Sequence, residues 1–374
     1  MSGPAADSVR AGIPARVARL GEQLAERELD ALLVEERADL RYVSGYTGTN
    51  GLALLRPAGG PPPRFLTDFR YTEQSAQEVP SVFERATVTG ELRDTLPGLL
   101  GDGGGRLGFD ATKLTVRGHE RLGELLGERW QLVPADGLVT GQRAVKEDGE
   151  VAAIAAACEL ADAALRELLE GGLAGRTERE VAFELETGMR RLGAEQPSFP
   201  SIVAAGPHGA LPHAQPRDAE IPRDVLVTID WGAQLDGYCS DCTRTYATGE
   251  GISDRQREAY ASVLEAQLAG LAAVRPGTSG RDADAKAREV LERAGLGERF
   301  GHGLGHGVGL EVHEGPRLSR TEADALLAPG NVVTVEPGVY LPGEFGVRIE
   351  DLVAVGEQDN SIFTSISKEL TVIE

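Results

Sequence analysis

Two apolar stretches of this 374-residue chain each carry a pair of acids where a buried strand would end. The first, VLVTIDWGAQLDGYCSDCTRTYA, holds Asp230 and Asp241; the second, NVVTVEPGVYLPGEFGVRIEDLVAV, holds Glu336 and Glu350. Between them, FGHGLGHGVGLEVHEGP holds His302, His306 and His313. Charged side chains are seldom buried unless paired or bound to a metal. Here the pattern recurs four times beside the chain's histidine cluster. Four carboxylates with at least one imidazole suit two divalent cations of the Mn or Co kind. Each stretch reads as a hairpin, in which facing positions lie close. Asp230 is thereby expected to meet Asp241, and Glu336 to meet Glu350. Each half of 150–374 offers helices and one such hairpin, and two halves facing each other would bring all four acids to one centre.

Taken singly, each acid has an ordinary alternative as a salt bridge or turn cap. The histidines weigh against it, because five of the six fall between residues 208 and 313. His302 and His306 are four apart, yet the glycines of GHGLGHGVG argue for a loop, not a helix face, and permit close backbone approach. No H-E-x-x-H, P-loop or G-x-S-x-G occurs. Cys239 and Cys242 bracket Asp241 without the second ligand pair that structural zinc requires. If Asp241 faces a metal, Cys242 faces the core; Cys158 reads as a small core residue within a helix.

The length allows two domains. Residues 8–29 repeat apolar side chains at helical spacing, and strand signals follow in ALLVEE, GLALLRP, RFLTD and RLGFDAT. A first domain over 1–138 and a second over 139–374 are expected. His119, in a charged helical context, reads as a surface residue. In the second domain an Ala-rich helix begins near residue 150, Thr177 with Glu180 forms a capping box, and Ser253 is an N-cap. The net charge of −21 argues against a nucleic-acid or anionic-membrane surface. No run of about 18 apolar residues marks a membrane span, and the N-terminus lacks the apolar core of a secretory signal. Three cysteines make no disulfide framework. A cytoplasmic protein is expected.

Together these motifs resemble the pita-bread metallopeptidases (family M24), in the branch of Xaa-Pro aminopeptidases (aminopeptidase P) and Xaa-Pro dipeptidases (prolidases). SIVAAGPHGALPHA, DWGAQLDGYCSDCTRT, GHGLGHGVGLEVHEGP, VVTVEPGVYLPG and GVRIEDLVAV carry the resemblance in order over most of 150–374. More weakly, VEERADLRYVSGYTGTNG resembles the creatinase-type first domain. The implied fold class is α/β (α+β), a C-terminal pita-bread (creatinase/aminopeptidase) fold behind a smaller N-terminal creatinase-like domain. By the same resemblance Asp230, Asp241, His306, Glu336 and Glu350 are the metal ligands, with Asp241 and Glu350 bridging the ions. His213 and His313 would contact substrate or stabilise the tetrahedral intermediate, and His302 is a further active-site histidine. Arg348 would orient a carboxylate, and Glu336 would be the general acid–base. Cys242 stands where the family more often has an apolar residue.

The resemblance further implies two divalent ions, Mn2+ foremost with Co2+ and Zn2+ as alternatives, and a metal-activated hydroxide attacking the Xaa-Pro bond. Proline-containing peptides would be the partners of a homodimer or higher homo-oligomer. The ALPHA turn and the wording of the motifs favour aminopeptidase P over prolidase. Creatinase, a rival with this layout, lacks the ligand set. A non-catalytic pita-bread binding module is the remote alternative, which the intact ligands and acidic balance oppose.

Overall fold

Residues 4–322 and 325–374 are described by a computed structural model. Residues 1–3, at the head of the expected first domain, lie outside the described residues. Two units separate, Ala6–Arg143 and Ala144–Glu374.

The first unit is built on one six-stranded sheet. Its strands are β1 (Ala31–Val34), β2 (Gly51–Leu55), β3 (Arg64–Asp68), β4 (Glu84–Val88), β5 (Gly105–Phe109) and β6 (Trp130–Pro134), in the order β4-β3-β2-β1-β5-β6. Four of these carry the apolar signals noted above. The two without one, β4 and β6, are the edges, where a strand has little apolar surface to hide; four of the five residues of ERATV are exposed. Leu33, Leu52, Leu54, Leu66, Leu107 and Leu122 form the core. The helical pattern over 8–29 becomes two helices, Pro4–Ala11 and Ile13–Glu26, parted at Gly12 with a proline opening the second. His119 is exposed on the helix Val116–Leu126.

The second unit repeats one plan. Helices Asp148–Leu169 and Glu178–Leu192 accompany a sheet ordered β12-β9-β8, and helices Asp254–Ala273 and Gly280–Arg293 accompany one containing β18-β15-β13. The capping boxes of Thr177 with Glu180 and of Ser253 with Gln256 both form, and Glu147 with Glu150 makes a third. Between β7 (Gln196–Pro197) and the helices of the second half run β8 (Ile202–Ala205), β9 (Leu226–Trp231), β10 (Ala233–Leu235), β11 (Tyr238–Cys239) and β12 (Cys242–Ala247). After those helices come β13 (Gly305–Gly307), β14 (Glu314–Leu318), β15 (Val332–Val335), β16 (Gly338–Leu341), β17 (Phe345–Arg348), β18 (Asp351–Ala354) and β19 (Ser361–Ile362). Fully buried Trp231 packs in one core with Val181, Leu185 and Met189; Val263, Leu291, Val333 and Val347 belong to the other.

Each hairpin breaks where its acids sit. In the first, β10 and β11 branch off between the long strands, so Asp230 faces Thr243 and Asp241 lies diagonally, two residues earlier. The expected face-to-face pairing of Asp230 with Asp241 is therefore a diagonal one. In the second, Val335 faces Asp351 and Gly338 faces Arg348, which leaves Glu336 opposite Glu350 at the break. There the backbone turns to other strands: Glu336 N–H donates to Leu304 O (2.8 Å) and Glu350 N–H to Thr243 O (3.1 Å).

Arg244 locks the two hairpins from behind. Its buried guanidinium donates to Asp351 Oδ1 (2.8 Å), Ile366 O (2.7 Å), Thr243 O (2.9 Å) and the Glu350 carbonyl. Asp351 also accepts from Gln267 (2.8 Å) and Lys368 (2.7 Å). Breaking a buried pair from one side strands a charge, so Asp351→Ala should destabilise the protein by about 3–5 kcal/mol. Urea unfolding would read this, and a loss under about 1 kcal/mol would mean the carbonyls alone satisfy Arg244.

Candidate metal centre

Asp230 enters from β9, Asp241 from the residue before β12, and Glu350 from the residue before β18. All three are buried, with carboxylate oxygens within 4.8 Å of one another. His306 completes the gathering, its Nε2 lying 3.5 Å from Asp241 Oδ2 and 3.3 Å from Glu336 Oε1. The histidine stretch, read above as a loop, holds His306 in the short strand β13. Its flanking glycines serve that pairing, since a Cβ at Gly305 would collide with Thr334 O and one at Gly307 with Gly315 O.

The donor set is short of positive charge. His306 Nδ1 donates to Gly307 O (3.1 Å), and Nε2 faces two carboxylates, where a proton would make the ring a cation between them. Asp230 Oδ1 is buried without a hydrogen-bond partner. Burial, and then the neighbouring carboxylates, push Asp241 and Glu350 well above the usual carboxylate range. Burial also raises Asp230, against the pull of Arg348. Burial would raise Glu336 too, but the hydrogen bond and charge of His306 bring it to about 2. His306 is raised, its burial outweighed by Glu336. Protons can relieve this crowding, and so can cations. Hard oxygens with one imidazole are donors that divalent ions accept.

Around the cluster runs a chain of hydrogen bonds. Arg348 donates Nη2 to Asp230 Oδ2 (2.7 Å), Nε to Thr243 Oγ1 (2.9 Å) and Nη1 to Tyr340 OH (2.8 Å). Thr243 in turn donates to Glu350 Oε2 (2.7 Å). His302 Nδ1 donates to Gly303 O (2.8 Å), so its Nε2 accepts from Tyr340 OH at 3.0 Å. Burial holds His302 below the ordinary imidazole value. His313 is lowered by burial, by His306 and, more weakly, by exposed Arg317; its ring centroid lies 4.3 Å from that of His306. His213 is exposed, and its charge also bears on His302 and His313. The five expected metal ligands, His302, His313 and Arg348 thus gather here, and Pro212 O on Arg348 (3.2 Å) brings the segment of His213 to them.

Sequence reasoning passed over Thr243, Tyr340 and Thr334, whose Oγ1 accepts from His306 N–H (3.0 Å) and donates to Glu336 (3.1 Å). Each lies two or four residues from an acid, but the acids sit at strand breaks, and a threonine or tyrosine in a strand carries no signal of its own. Cys239 and Cys242 are free and buried, burial pushing Cys239 up to about 12. Cys242 lies in the core with Sγ 3.2 Å from Glu350 O.

The family model described as metallopeptidase family M24 matches residues 152–357, and that of the creatinase/prolidase N-terminal domain matches residues 16–145. An Xaa-Pro dipeptidase of Pyrococcus horikoshii is 34% identical over 355 residues, covering 95% of this chain and 98% of that protein. The solved structure of an Xaa-Pro dipeptidase from Bacillus anthracis is similar with a TM-score of 0.90 and 39% identity, over 96% of this chain and 99% of that one. An X-Pro aminopeptidase from Thermotoga maritima is similar with a TM-score of 0.84 and 37% identity, over 93% and 99%.

The raised carboxyls provide a test independent of any relative. Carboxyls raised above their ordinary values keep their protons to higher pH in the metal-free protein, and a cation must displace those they hold. Titrating chelator-treated protein with Mn2+ near pH 6, in buffers of different ionisation enthalpy, should show net proton release. No release would mean the acids are already ionised in the empty cluster.

Proposed function

The chain belongs to metallopeptidase family M24, and from that premise we propose that it is an Xaa-Pro dipeptidase acting with two divalent cations, Mn2+ foremost. Similarity along nearly the whole chain to proteins named Xaa-Pro dipeptidase carries this reading. It reverses the preference for aminopeptidase P drawn from the ALPHA turn. Xaa-Pro aminopeptidase is the second reading, kept by the Thermotoga structure. A cytoplasmic location and a homodimer belong to the proposal on resemblance alone; no described helix is long and apolar enough to cross a membrane.

Asp230, Asp241, His306, Glu336 and Glu350 would hold the cations. These supply Lewis-acid polarisation of a carbonyl and a water acidic enough to attack near neutral pH. Arg348 and Thr243 fix Asp230 and Glu350 in place. Glu336, ionised at neutral pH, is the available proton acceptor. His313, held below the ordinary imidazole value, is neutral there and can donate one N–H to a developing oxyanion. Proline's nitrogen carries no N–H, so an Xaa-Pro bond cannot be held through that group. A side chain such as His213 would orient it instead, while His302, with both ring nitrogens engaged, steadies Tyr340. Exposed Arg317, four residues after His313 on β14, is the cation we assign to the free carboxylate that ends a dipeptide.

Mn-loaded protein should cleave Xaa-Pro faster than Xaa-Pro-Yaa, and Asp241→Asn should lose roughly a thousandfold or more in kcat, the several kcal/mol expected of Lewis-acid stabilisation. Arg317→Ala should raise KM for Xaa-Pro while sparing Xaa-Pro amide. Faster cleavage of the tripeptide would make this an aminopeptidase, and no cleavage of either by metal-loaded protein would reject the proline reading.

A further inference from the structure

Glu178 opens the helix Glu178–Leu192, and its side chain is wholly buried. A carboxylate so placed is costly unless its oxygens are satisfied. Five donors converge on it: Ala205 N (3.0 Å), His208 Nδ1 (3.0 Å), and the N (3.0 Å), Nε (3.0 Å) and Nη2 (2.9 Å) of Arg217. Burial pushes the carboxyl up, and these donors more than reverse it.

The donors are not scattered. Ala205 ends β8, and Arg217 lies at the far end of the loop that leads towards β9. One carboxylate therefore joins both ends of the loop 206–217, with His208 reaching it from inside. Backbone bonds from Arg179 N to Arg217 O (3.1 Å) and from Glu178 N to Ala219 O (3.2 Å) dock the same segment on the helix start. On the loop's other side Gly209 packs directly on Gly346, where no Cβ fits. Pro212 O accepts from Arg348 Nη1 (3.2 Å), the same arginine that binds Asp230. The next residue is His213.

We propose that Glu178 is a positioning residue that, by closing the neck of the loop 206–217, sets His213 against the metal centre. This rests on the peptidase reading above. Misplacing a substrate-orienting group by about 1 Å costs on the order of a hundredfold in rate. In metal-loaded full-length protein, Glu178→Gln should lower kcat for an Xaa-Pro dipeptide roughly ten- to a hundredfold at unchanged metal content. His213→Ala should lower it at least as much, and the double variant should be no worse than His213→Ala, because the two act through one group. Arg217→Ala, at a half-exposed side chain, removes two of the five donors and keeps the backbone N–H, and should show a smaller loss that is likewise not additive with His213→Ala. By hydrogen exchange, the amides of 206–217 should lose protection in Glu178→Gln while those of 226–231 and 242–247 keep theirs. Additive losses, unchanged loop protection, or loss of metal from Glu178→Gln would each overturn the proposal. Wild-type protein inactive on Xaa-Pro would bring down the functional reading instead, and the exchange measurement would still decide whether Glu178 holds the loop.

Discussion

Like charges crowded out of water are the condition the second unit is built to meet. At an effective dielectric of 20, two unit charges 4 Å apart repel by about 4 kcal/mol. Several such pairs would rival the 5–15 kcal/mol or so that keeps a domain folded. Four carboxylates within reach of one another therefore cannot all stay ionised without compensation. The chain supplies part of it through Arg348 on Asp230 and His306 on Glu336, yet Asp241 and Glu350 remain raised. The remaining charge must come as protons or as cations. A fold that spends buried volume on such a cluster is organised for an occupant.

The hairpin breaks follow from the same condition. An unbroken ladder would point alternate side chains to opposite faces and leave the acids in separate rows. By branching at β10–β11 and at β16–β17, each hairpin frees backbone groups to pair across to other strands, as Glu350 N–H does with Thr243 O. That crossing bond draws the acids of both halves to one point. Arg244 then ties the crossing down from the side away from the cluster, by holding Asp351 and the carbonyl beside Glu350. The repeated plan of two helices and three strands provides the facing halves.

What the sequence made legible is what burial writes into it. Apolar runs located the central strands, capping residues located the helix starts, and acids out of place in β-branched runs located the cluster. The edge strands β4 and β6 were silent because edges bury little. The diagonal placement of Asp241 was hidden because register depends on where β10 and β11 leave the hairpin, which WGAQLDGYCSD does not announce. Thr243 and Tyr340 escaped notice because a threonine or tyrosine in a strand is ordinary; only their hydrogen bonds to Glu350, Arg348 and His302 distinguish them.

The buried and open sides of the centre are thus specified by different means. Strand register, Arg348 and Thr243 hold the acids at the hairpin breaks. On the reading proposed above, recognition of a substrate would fall to exposed groups, His213 and His313 in loops and Arg317 on β14. A residue exposed to solvent cannot be held by packing, so something buried must hold the segment that carries it. For the loop bearing His213, the buried group is a carboxylate on a neighbouring helix, saturated by donors from both ends of that loop. On that proposal a change of substrate preference would need no change in the acids; a shift of the loop that presents His213 would serve.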